Sequence, residues 1–401
     1  GPMDEINDRE ARVEQKHPVV EQKQEVWSWG AGTDGQHGTG CLQDEHFPRL
    51  LFLSPSSPQS SFSLLSCGGA HVIALTTDGR VLTWGRGTSG QLGHGEKQNC
   101  LQPKLVTPLQ NFRVTHISAG WSHSGFVSDT GRLFNCGDGS FGQLGHGDFT
   151  SLCSPVEVLY FSSMHVEQIA YGMRHSLVLL RDSEDQVYSF GSGKHGQLGV
   201  SLDKRLTALP QATLGLKHVM IVSICANGDH SAALSADGHF YTWGRGFSGE
   251  SDACCPQCLN SSLQFVQAAL GWNHALLLTG DGEVFMYGGN LHGLLNDPEK
   301  LSSQKLLSEE PGKVILFKVP DLDCVKVVNI AAGAEHSALV TDSGLIKTWG
   351  WGEHGQLGLG NTADQTIPQT VHLDHGSFHN NGYTVFKIYC GSGFTYAVRT
   401  P

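Results

Sequence analysis

The chain has 401 residues, of which 26 are Lys or Arg and 38 are Asp or Glu, so its formal charge at pH 7 is −12. An acidic chain lacks the basic surface that binding along a nucleic-acid backbone needs, so direct DNA binding is not expected. Hydrophobic residues make up 39% of the chain, which excludes disorder over the whole length. Glycine is the outlier: the chain has 51, about 13% of its residues, where about 7% is average.

The first 24 residues differ in composition from the rest of the chain. Gly1 and Pro2 before Met3 are typical of the remnant that tag cleavage leaves, and residues 4–24 mix acidic and basic side chains without a basic excess. For residues 1–24 we predict a charged segment that is a frayed helix or disordered. A single folded domain is predicted over residues 25–401.

No targeting signal is recognisable in the sequence. It contains neither the run of about 18 apolar residues that a membrane span needs nor an apolar signal core near its start. Its 11 cysteines, an odd number, are scattered along the chain. This pattern is typical of reduced thiols in an intracellular protein, so we expect the nucleus, the cytoplasm or both, and no membrane partner.

An aromatic or apolar residue followed by glycine recurs seven times, each time after a short strand-like run. The pairs are Trp29-Gly30, Trp84-Gly85, Cys136-Gly137, Phe190-Gly191, Trp243-Gly244, Tyr287-Gly288 and Trp349-Gly350, about 53 residues apart on average. Most are followed by Gly-Gln-Leu-Gly, at residues 90–93, 142–145, 196–199 and 355–358. A period of this length is a signature of repeat architectures.

A second series, Gly-x-x-His, precedes the first by about fourteen residues. Its histidines are His71, His123, His175, His230, His274 and His336, and a seventh copy ends in Phe394. Asp-Gly between two apolar runs, as at Asp78-Gly79, predicts a hairpin between the two series, because both residues tolerate tight turns. Further on, prolines are predicted to open a short outer strand, where they remove no ladder hydrogen bond: Pro48, Pro103, Pro155 and Pro368.

Four short strands per repeat, seven times over, predict an all-β fold, a seven-bladed β-propeller of four-stranded blades. The domain begins with residues 25–30, which lack a preceding Gly-x-x-His, and ends with residues 391–398, which lack a following Trp-Gly. Each end supplies the half that the other lacks. We therefore predict that the N- and C-terminal strands share one blade and close the ring, which removes two free edges.

Together, Gly-x-x-His and Trp-Gly-x-Gly-x-x-Gly-Gln-Leu-Gly resemble the motifs of the regulator-of-chromosome-condensation family, whose members are seven-bladed propellers. The resemblance covers roughly residues 25–399 and recurs in every repeat. The family includes an exchange factor for a Ran-type GTPase, a plant ultraviolet-B photoreceptor and many interaction modules. The resemblance thus implies the fold and leaves the activity open.

The glycine-rich loops and the histidines each admit a chemical interpretation. Six loops, such as residues 30–35, match the dinucleotide pattern G-x-G-x-x-G, but that pattern binds pyrophosphate only where a helix follows, and here turns and strands follow. No cofactor is predicted. Six of the 21 histidines occupy one repeated position, whereas a catalytic site needs one arrangement, so we interpret them as scaffold, bonded to backbone within their blade.

Two further clusters are interpreted as structural. Cys254-Cys255-Pro256-Gln257-Cys258 falls where the fifth repeat should show Gly-Gln-Leu-Gly, but a structural zinc site needs four ligands and a redox pair a helix start. We expect a degenerate loop with free thiols. His372, Asp374, His375 and His379 are interpreted as a solvated loop. We predict no metal site, and no catalytic triad or carboxylate pair is recognisable.

Departures from the repeat are where function is sought. The two residues inside Gly-x-x-His vary and should lie together on one face of the ring. The candidate partner-binding residues are Trp121, Met173, Arg174, Asp229, Trp272 and Glu335. Trp, Met and Arg are enriched at protein interfaces. The alternative is that Trp121 and Trp272 are partly buried packing residues.

The same turns argue against an ultraviolet-B photoreceptor. The resemblance to that relative implies Gly-Trp-Arg-His-Thr in consecutive blades, with clustered tryptophans and arginines. Here Trp121 and Trp272 are separated and are followed by Ser122 and Asn273. We interpret the tryptophans as isolated and predict no ultraviolet-B response.

We predict a non-catalytic protein-interaction platform that binds a protein partner on one face of the ring. The alternative is a guanine-nucleotide exchange factor for a Ran-type small GTPase. The resemblance implies that such a factor pushes a loop against the nucleotide pocket, for which residues 296–313 and 53–63 are candidates, although both also fit ordinary solvated loops. A small GTPase or a basic nuclear protein is the candidate partner.

Overall fold

The computed structural model describes residues 23–53, 61–200, 205–289, 316–373 and 385–401. Most of the charged segment predicted over residues 1–24 lies outside these ranges. No helix in the described ranges has the length and apolarity to cross a membrane. The regular structure of this part of the chain is strand, apart from two short 3-10 turns at Thr107–Leu109 and Leu159–Phe161.

The described residues contain 28 strands in seven four-stranded antiparallel sheets. The strands are β1 Glu25–Gly30, β2 Glu45–Leu50, β3 Phe62–Cys67, β4 His71–Thr76, β5 Val81–Gly85, β6 Cys100–Leu105, β7 Val114–Ala119, β8 His123–Ser128, β9 Leu133–Gly137, β10 Leu152–Glu157, β11 Val166–Tyr171, β12 His175–Leu180, β13 Val187–Ser192, β14 Leu206–Ala212, β15 Ile221–Asn227, β16 His230–Ser235, β17 Phe240–Gly244, β18 Ala253–Cys258, β19 Phe265–Leu270, β20 His274–Thr279, β21 Val284–Gly288, β22 Leu316–Lys318, β23 Val327–Ala332, β24 His336–Thr341, β25 Ile346–Gly350, β26 Gln365–Val371, β27 Val385–Cys390 and β28 Phe394–Thr400.

Each sheet is one blade of a seven-bladed propeller. Blades 2 to 7 take four consecutive strands each, β3–β6 through β23–β26, with the first strand innermost. Blade 1 has the order β2-β1-β28-β27, so the two ends of the domain share it. The predicted propeller and its mode of closure are therefore confirmed.

Hydrophobic packing lies between the blades. The second and third strands of a blade are covered on both faces by neighbouring blades. Their sequences are therefore mostly apolar without alternation, as in the fully buried β4 and β5. Seven buried clusters result, one at each joint between blades. Trp84, for example, is fully buried between blades 1 and 2.

The prolines lie inside the outer strands and not at their starts, so that prediction was wrong in position. In β6, pairing with β5 skips from Lys104 to Cys100, and Pro103 falls in the skipped stretch. Pro48, Pro155 and Pro368 fall in the corresponding skips of β2, β10 and β26. A bulge leaves residues without ladder bonds, which is where a residue without an N–H fits.

The closing blade carries a buried ion pair between its two terminal strands. Glu25 of β1 lies opposite Arg399 of β28, and Nη2 and Nε of the arginine each approach Glu25 Oε2 at 2.8 Å. The indole Nε1 of Trp27 donates to the same oxygen at 2.7 Å. The Arg399 side chain is 7% exposed. This clasp joins the first and last strands of the ring.

Candidate functional site

The two motif series meet at one face of the ring. His71 at the start of β4 lies opposite Gly85 at the end of β5, and His336 lies opposite Gly350 in blade 7. In blade 1, Phe394 takes the histidine position opposite Gly30. The Gly-x-x-His turns therefore surround one mouth of the central channel, with the glycine-rich loops outside them. We call this surface the motif face.

The repeated histidines join each blade to the next. His71 Nε2 of blade 2 lies 2.8 Å from Ser124 Oγ of blade 3, and Ser124 donates to the carbonyl of Gln91. Equivalent bonds join His123 to Ser176, His175 to Ser231, His274 to Ser337 and His336 to Thr395. His230 differs, since its Nε2 lies 2.6 Å from the Trp272 carbonyl oxygen of blade 6. The scaffold interpretation fits, but the expected partner was wrong: each ring nitrogen bonds the following blade, at a hydroxyl in five of the six, and not backbone of its own blade.

These histidines are neutral. The Ser124 proton is donated to Gln91, so His71 must donate from Nε2, which leaves Nδ1 unprotonated and, within the described residues, without a partner. Burial lowers the pKa of His71 and His336 to about 3 and that of His175 to about 4. A proton on the buried Nδ1 would find no acceptor, so the ring stays neutral at pH 7.

The first glycine of each Gly-x-x-His turn makes room for the histidine ring. A Cβ on Gly120 would lie 2.6 Å from Nδ1 of His123 and 2.7 Å from the Gly172 carbonyl oxygen. Both distances are shorter than real Cβ contacts, and neither neighbour is a flexible side-chain end. The glycine is therefore needed because the imidazole and the next blade fill the space beside it.

We expect Gly120→Ala to destabilise the ring by about 1–3 kcal/mol, because overpacking displaces the histidine and its bond to Ser176. The matched control is Gly280→Ala, since a Cβ there would meet only Val266 Cγ1, at 3.8 Å. Urea unfolding followed by tryptophan fluorescence measures both variants. Equal midpoints for the two would contradict the steric role of Gly120.

The structure brings Trp121 and Trp272 together at the centre of the motif face. They come from blades 3 and 6, yet their ring centroids are 5.5 Å apart at an interplanar angle of 55°. Trp121 is 40% exposed and Trp272 is half-buried. The interpretation of these tryptophans as isolated was therefore wrong, because residues far apart in sequence meet across the channel mouth.

Each indole rests on a glycine of the preceding blade. A Cβ on Gly69 of blade 2 would lie 2.8 Å from the Trp121 ring, and one on Gly228 of blade 5 would lie 3.0 Å from Trp272. The variable positions of neighbouring turns are thus complementary in size. The roles of Gly69 and Gly228 were missed because alignment of the repeats shows which residues share a position. It does not show which residue of the next blade each turn contacts.

The remaining candidates flank the indole pair. Met173 is half-buried, and the exposed Arg174 stacks its guanidinium 4.9 Å from the ring centroid of Phe141. Asn273, next to Trp272, donates to Glu335 Oε1 at 3.4 Å. All seven turns lie at one mouth of the channel, so the six candidate residues share the motif face.

Asp229 belongs to an ion network that joins blades 4 and 5. Its carboxylate lies 3.4 Å from Arg245 Nη2 and 3.8 Å from His195 Nε2. Arg245 donates to His195 Nε2 at 2.9 Å, and the Nδ1 of the same histidine lies 3.0 Å from Asp252 Oδ2. These residues are spread over 58 positions, and no pattern in the sequence connects them.

The glycine-rich loops are internally satisfied turns. In blade 2, the Gly87 N–H donates to the Asn99 side chain at 3.0 Å, and the Ser89 N–H to Gln91 Oε1 at 2.8 Å. In the described blades an outer strand follows each such loop, and the helix start that phosphate binding requires does not. The interpretation of the loops as structural turns agrees with this geometry.

The cysteine cluster lies in an outer strand and not in a loop. Residues 253–258 form β18 of blade 5, in which Cys254 is half-buried while Cys255 and Cys258 are exposed. All three are free thiols. Among the described residues, no group of three His, Cys, Asp or Glu side chains is placed to hold a metal ion.

Several predicted loops lie outside the described residues. The candidate contact loop at residues 296–313 is entirely outside them, and so is most of the loop at residues 53–63. Of the histidine cluster near the C-terminus, only His372 is described.

Comparison with known proteins agrees with the geometry. The family model of the RCC1-like domain matches residues 19–397. The ultraviolet-B receptor UVR8 of Arabidopsis thaliana is 28% identical over 86% of this chain and 76% of its own length. The secretion-regulating guanine nucleotide exchange factor of Bos taurus is 29% identical over 86% of this chain and 78% of its own.

Solved structures show the same fold. Prp20p from Saccharomyces cerevisiae superimposes with a TM-score of 0.78, at 24% identity, over 95% of this chain and 92% of its own. The fold and the repeated histidine joints thus define a seven-bladed propeller built from Gly-x-x-His repeats. The chain belongs to the RCC1-like domain family.

Proposed function

We propose that this chain is a non-catalytic interaction platform of the nucleus or the cytoplasm that captures a protein partner on its motif face. The observation that carries the proposal is the Trp121–Trp272 pair, whose rings lie in contact at the centre of that face, with Trp121 40% exposed. Exposed aromatic residues near the centre of a surface are typical anchors of protein interfaces. Met173 and Arg174 extend the same surface.

We expect Trp121→Ala and Trp272→Ala to leave folding intact and to weaken partner capture at least tenfold, because each removes an aromatic anchor. Affinity capture from cells with the wild-type chain identifies the partner, and titration with that partner measures the loss. Phe52→Ala is the matched control, since Phe52 is an exposed aromatic residue that follows β2 at the end of blade 1 away from the motif face. If the tryptophan variants unfold while Phe52→Ala does not, the indoles are packing residues.

A guanine-nucleotide exchange factor is the second candidate function. It is favoured by the bovine secretion-regulating guanine nucleotide exchange factor, which this chain matches over most of both lengths. Nucleotide release from a panel of small GTPases, including a Ran-type member, separates the two proposals. Acceleration by substoichiometric amounts of the chain would replace the first proposal with the second.

The partner class is inferred from charge and from relatives. The net charge of −12 favours a basic protein. Prp20p has been studied for its binding to Gsp1p and histones. We therefore place a small GTPase and a basic nuclear protein first among the partners to be tested. Direct binding of DNA is not proposed.

Ultraviolet-B reception is not proposed, although the indoles are in contact. Arg174 is the one arginine within the seven Gly-x-x-His turns, and it stacks on Phe141. We expect the elution volume of the chain on a sizing column to be unchanged by ultraviolet-B irradiation. A shift to a smaller species on irradiation would overturn this.

A further inference from the structure

The central channel encloses a cavity of about 480 Å³ lined by the innermost strands of all seven blades. This volume falls within the range of small-molecule sites, about 300–1,000 Å³. Trp121, Trp272 and Met173 line the end at the motif face, and small side chains such as Ala170 and Ala331 line the middle. Polar side chains line the opposite end.

The innermost strands use side chains of the preceding blade to satisfy their free edges. The edge N–H groups that donate into such side chains come from β7, β11, β23 and β27. The bonds are Ala119 N to Ser66 Oγ at 2.9 Å, Ile169 N to His116 Nδ1 at 3.3 Å, Tyr171 N to Ser118 Oγ at 3.0 Å, Ile330 N to Gln267 Oε1 at 3.2 Å and Ile388 N to Asn329 Oδ1 at 2.8 Å. In each bond the side chain is the acceptor.

This bonding fixes which atoms remain for the cavity. Because His116 accepts at Nδ1, its proton is on Nε2, and because Gln267 accepts at its oxygen, its NH2 group is left over. The hydroxyl protons of Ser66 and Ser118 are left over in the same way. Within the described residues, no protein acceptor takes the His116 Nε2, Gln267 Nε2 or serine hydroxyl protons. The lumen is therefore rich in hydrogen-bond donors.

Blades 4, 5 and 7 depart from this pattern. In blade 4, Gln168 Nε2 donates to the Val222 carbonyl at 2.9 Å. In blade 5, Asn227 Nδ2 donates to the Leu270 carbonyl at 2.8 Å, and Cys225 Sγ donates to the Ala268 carbonyl at 3.4 Å. In blade 7, Asn329 Nδ2 donates to Gln267 Oε1 at 3.5 Å. These donors are already used, so the donor-rich wall belongs chiefly to blades 2, 3 and 6.

The charge of the lining residues also favours a negatively charged ligand. Lys387 of blade 1 is the lysine that lines the cavity, and its Nζ donates to the Ser63 carbonyl at 3.4 Å. The described lining residues include no Asp, Glu or Arg. Burial lowers the pKa of His116 to about 4, so it stays a neutral donor at pH 7. A ligand with acceptors and a negative charge complements this wall.

We propose that the central channel binds a small organic anion, with its carboxylate or phosphate among Lys387, His116 and Gln267 and its apolar part toward Trp121 and Trp272. The site lies inside the ring, whereas a protein partner would dock on the motif face. The proposal does not depend on the partner proposal, and either can fail without the other.

Benzoate, benzamide and benzamidine test the proposal, because they share one shape and carry charges of −1, 0 and +1. We expect benzoate to bind at pH 7 with a Kd of about 1 mM or tighter, by calorimetry and by a change in tryptophan fluorescence. Benzamide should bind about tenfold more weakly, and benzamidine not measurably. Phenyl phosphate and inorganic phosphate form a second arm, in which the aromatic ester should bind tighter.

Two variants test whether the anion binds in the channel. Lys387→Met should weaken benzoate about tenfold and leave benzamide unchanged, while Lys318→Met, an exposed lysine of the outer strand β22, should change neither. Gln267→Glu keeps an oxygen for the Ile330 N–H but adds a negative charge, so it should abolish benzoate binding and permit benzamidine.

Three results would overturn the proposal. The first is no binding of benzoate or phenyl phosphate up to about 20 mM, a concentration at which a 1 mM site would be saturated. The second is benzoate affinity that is unaffected by both Lys387→Met and Gln267→Glu. The third is inorganic phosphate binding as tightly as phenyl phosphate, which would mean that the apolar middle of the channel contributes nothing.

Discussion

The ring should lose most of its stability in mild acid, between pH 6.5 and pH 4. Burial lowers the pKa of His71, His123 and His336 from 6.5 to about 3, and that of His175 and His274 to about 4. The unfolded chain binds protons at these histidines below pH 6.5, whereas the folded ring does not. The free energy of unfolding therefore falls as the pH falls through this window.

The size of the effect depends on the number of histidines. Each contributes a loss of about 1.4 kcal/mol per pH unit once the pH is well below 6.5. Five histidines with a pKa of about 3 or 4 act together, and His230, whose pKa is also lowered by burial, acts in the same direction. The loss should reach on the order of 10 kcal/mol by pH 5, which is comparable with the whole stability of a typical domain.

Urea unfolding at pH 7.5, 6.5, 5.5 and 5.0 measures this loss, and His71→Phe is the matched variant. Phenylalanine occupies the same position naturally, at Phe394 of blade 1. At pH 7.5 the variant should cost about 1 kcal/mol through the lost bond to Ser124. Below pH 6.5 it should take up one proton fewer on unfolding. A stability that is flat from pH 7.5 to 5.5, or an unchanged slope in His71→Phe, would contradict the account.

Breaking the clasp of the closing blade should cost about 3–5 kcal/mol. Arg399→Leu leaves the Glu25 carboxylate, whose side chain is 20% exposed, without its cation next to Trp27, and an uncompensated, largely buried charge is expensive. Because β1 and β28 close the ring, the loss falls on the joint that holds all seven blades together. Equilibrium unfolding at pH 7.5 measures it.

The control is an exposed arginine–glutamate pair in blade 4. Arg181 Nε lies 3.8 Å from Glu167 Oε1, and the two side chains are 52% and 44% exposed, so Arg181→Leu should cost less than about 1 kcal/mol. A Glu25→Leu/Arg399→Leu double variant should recover most of the single-variant loss. Equal losses for Arg399→Leu and Arg181→Leu would show that burial of the clasp does not matter.

Sequence periodicity was sufficient to predict the ring, because each blade repeats the same turns and buried strands. The complementary ends at residues 25–30 and 391–398 also predicted the shared blade. The partner of the histidines was missed although a signal was present. Ser or Thr directly follows the histidine position in five of the blades, as at Ser124 and Thr395, and these are the hydroxyls that the preceding blade bonds.

The site was predictable only in part. The turns were expected on one face because their spacing is regular, but which turns touch depends on the curvature of the ring. Trp121 and Trp272 are 151 positions apart and meet only because blades 3 and 6 face each other across the channel. The donor-rich lumen was also hidden, because it depends on which atom of Gln267 accepts a backbone N–H, and the residue type alone does not determine that.

The register of the closing blade determines how the ring can be tethered. Gly30 pairs with Phe394 at the motif face, while Glu25 pairs with Arg399 at the opposite end of the same strands. Lys23 and Pro401 therefore emerge on the same side of the disk, away from the turns that carry Trp121 and Trp272. A label, a fused protein or an immobilising surface attached at either position leaves the motif face open, so both orientations of a fusion are suitable for capture experiments.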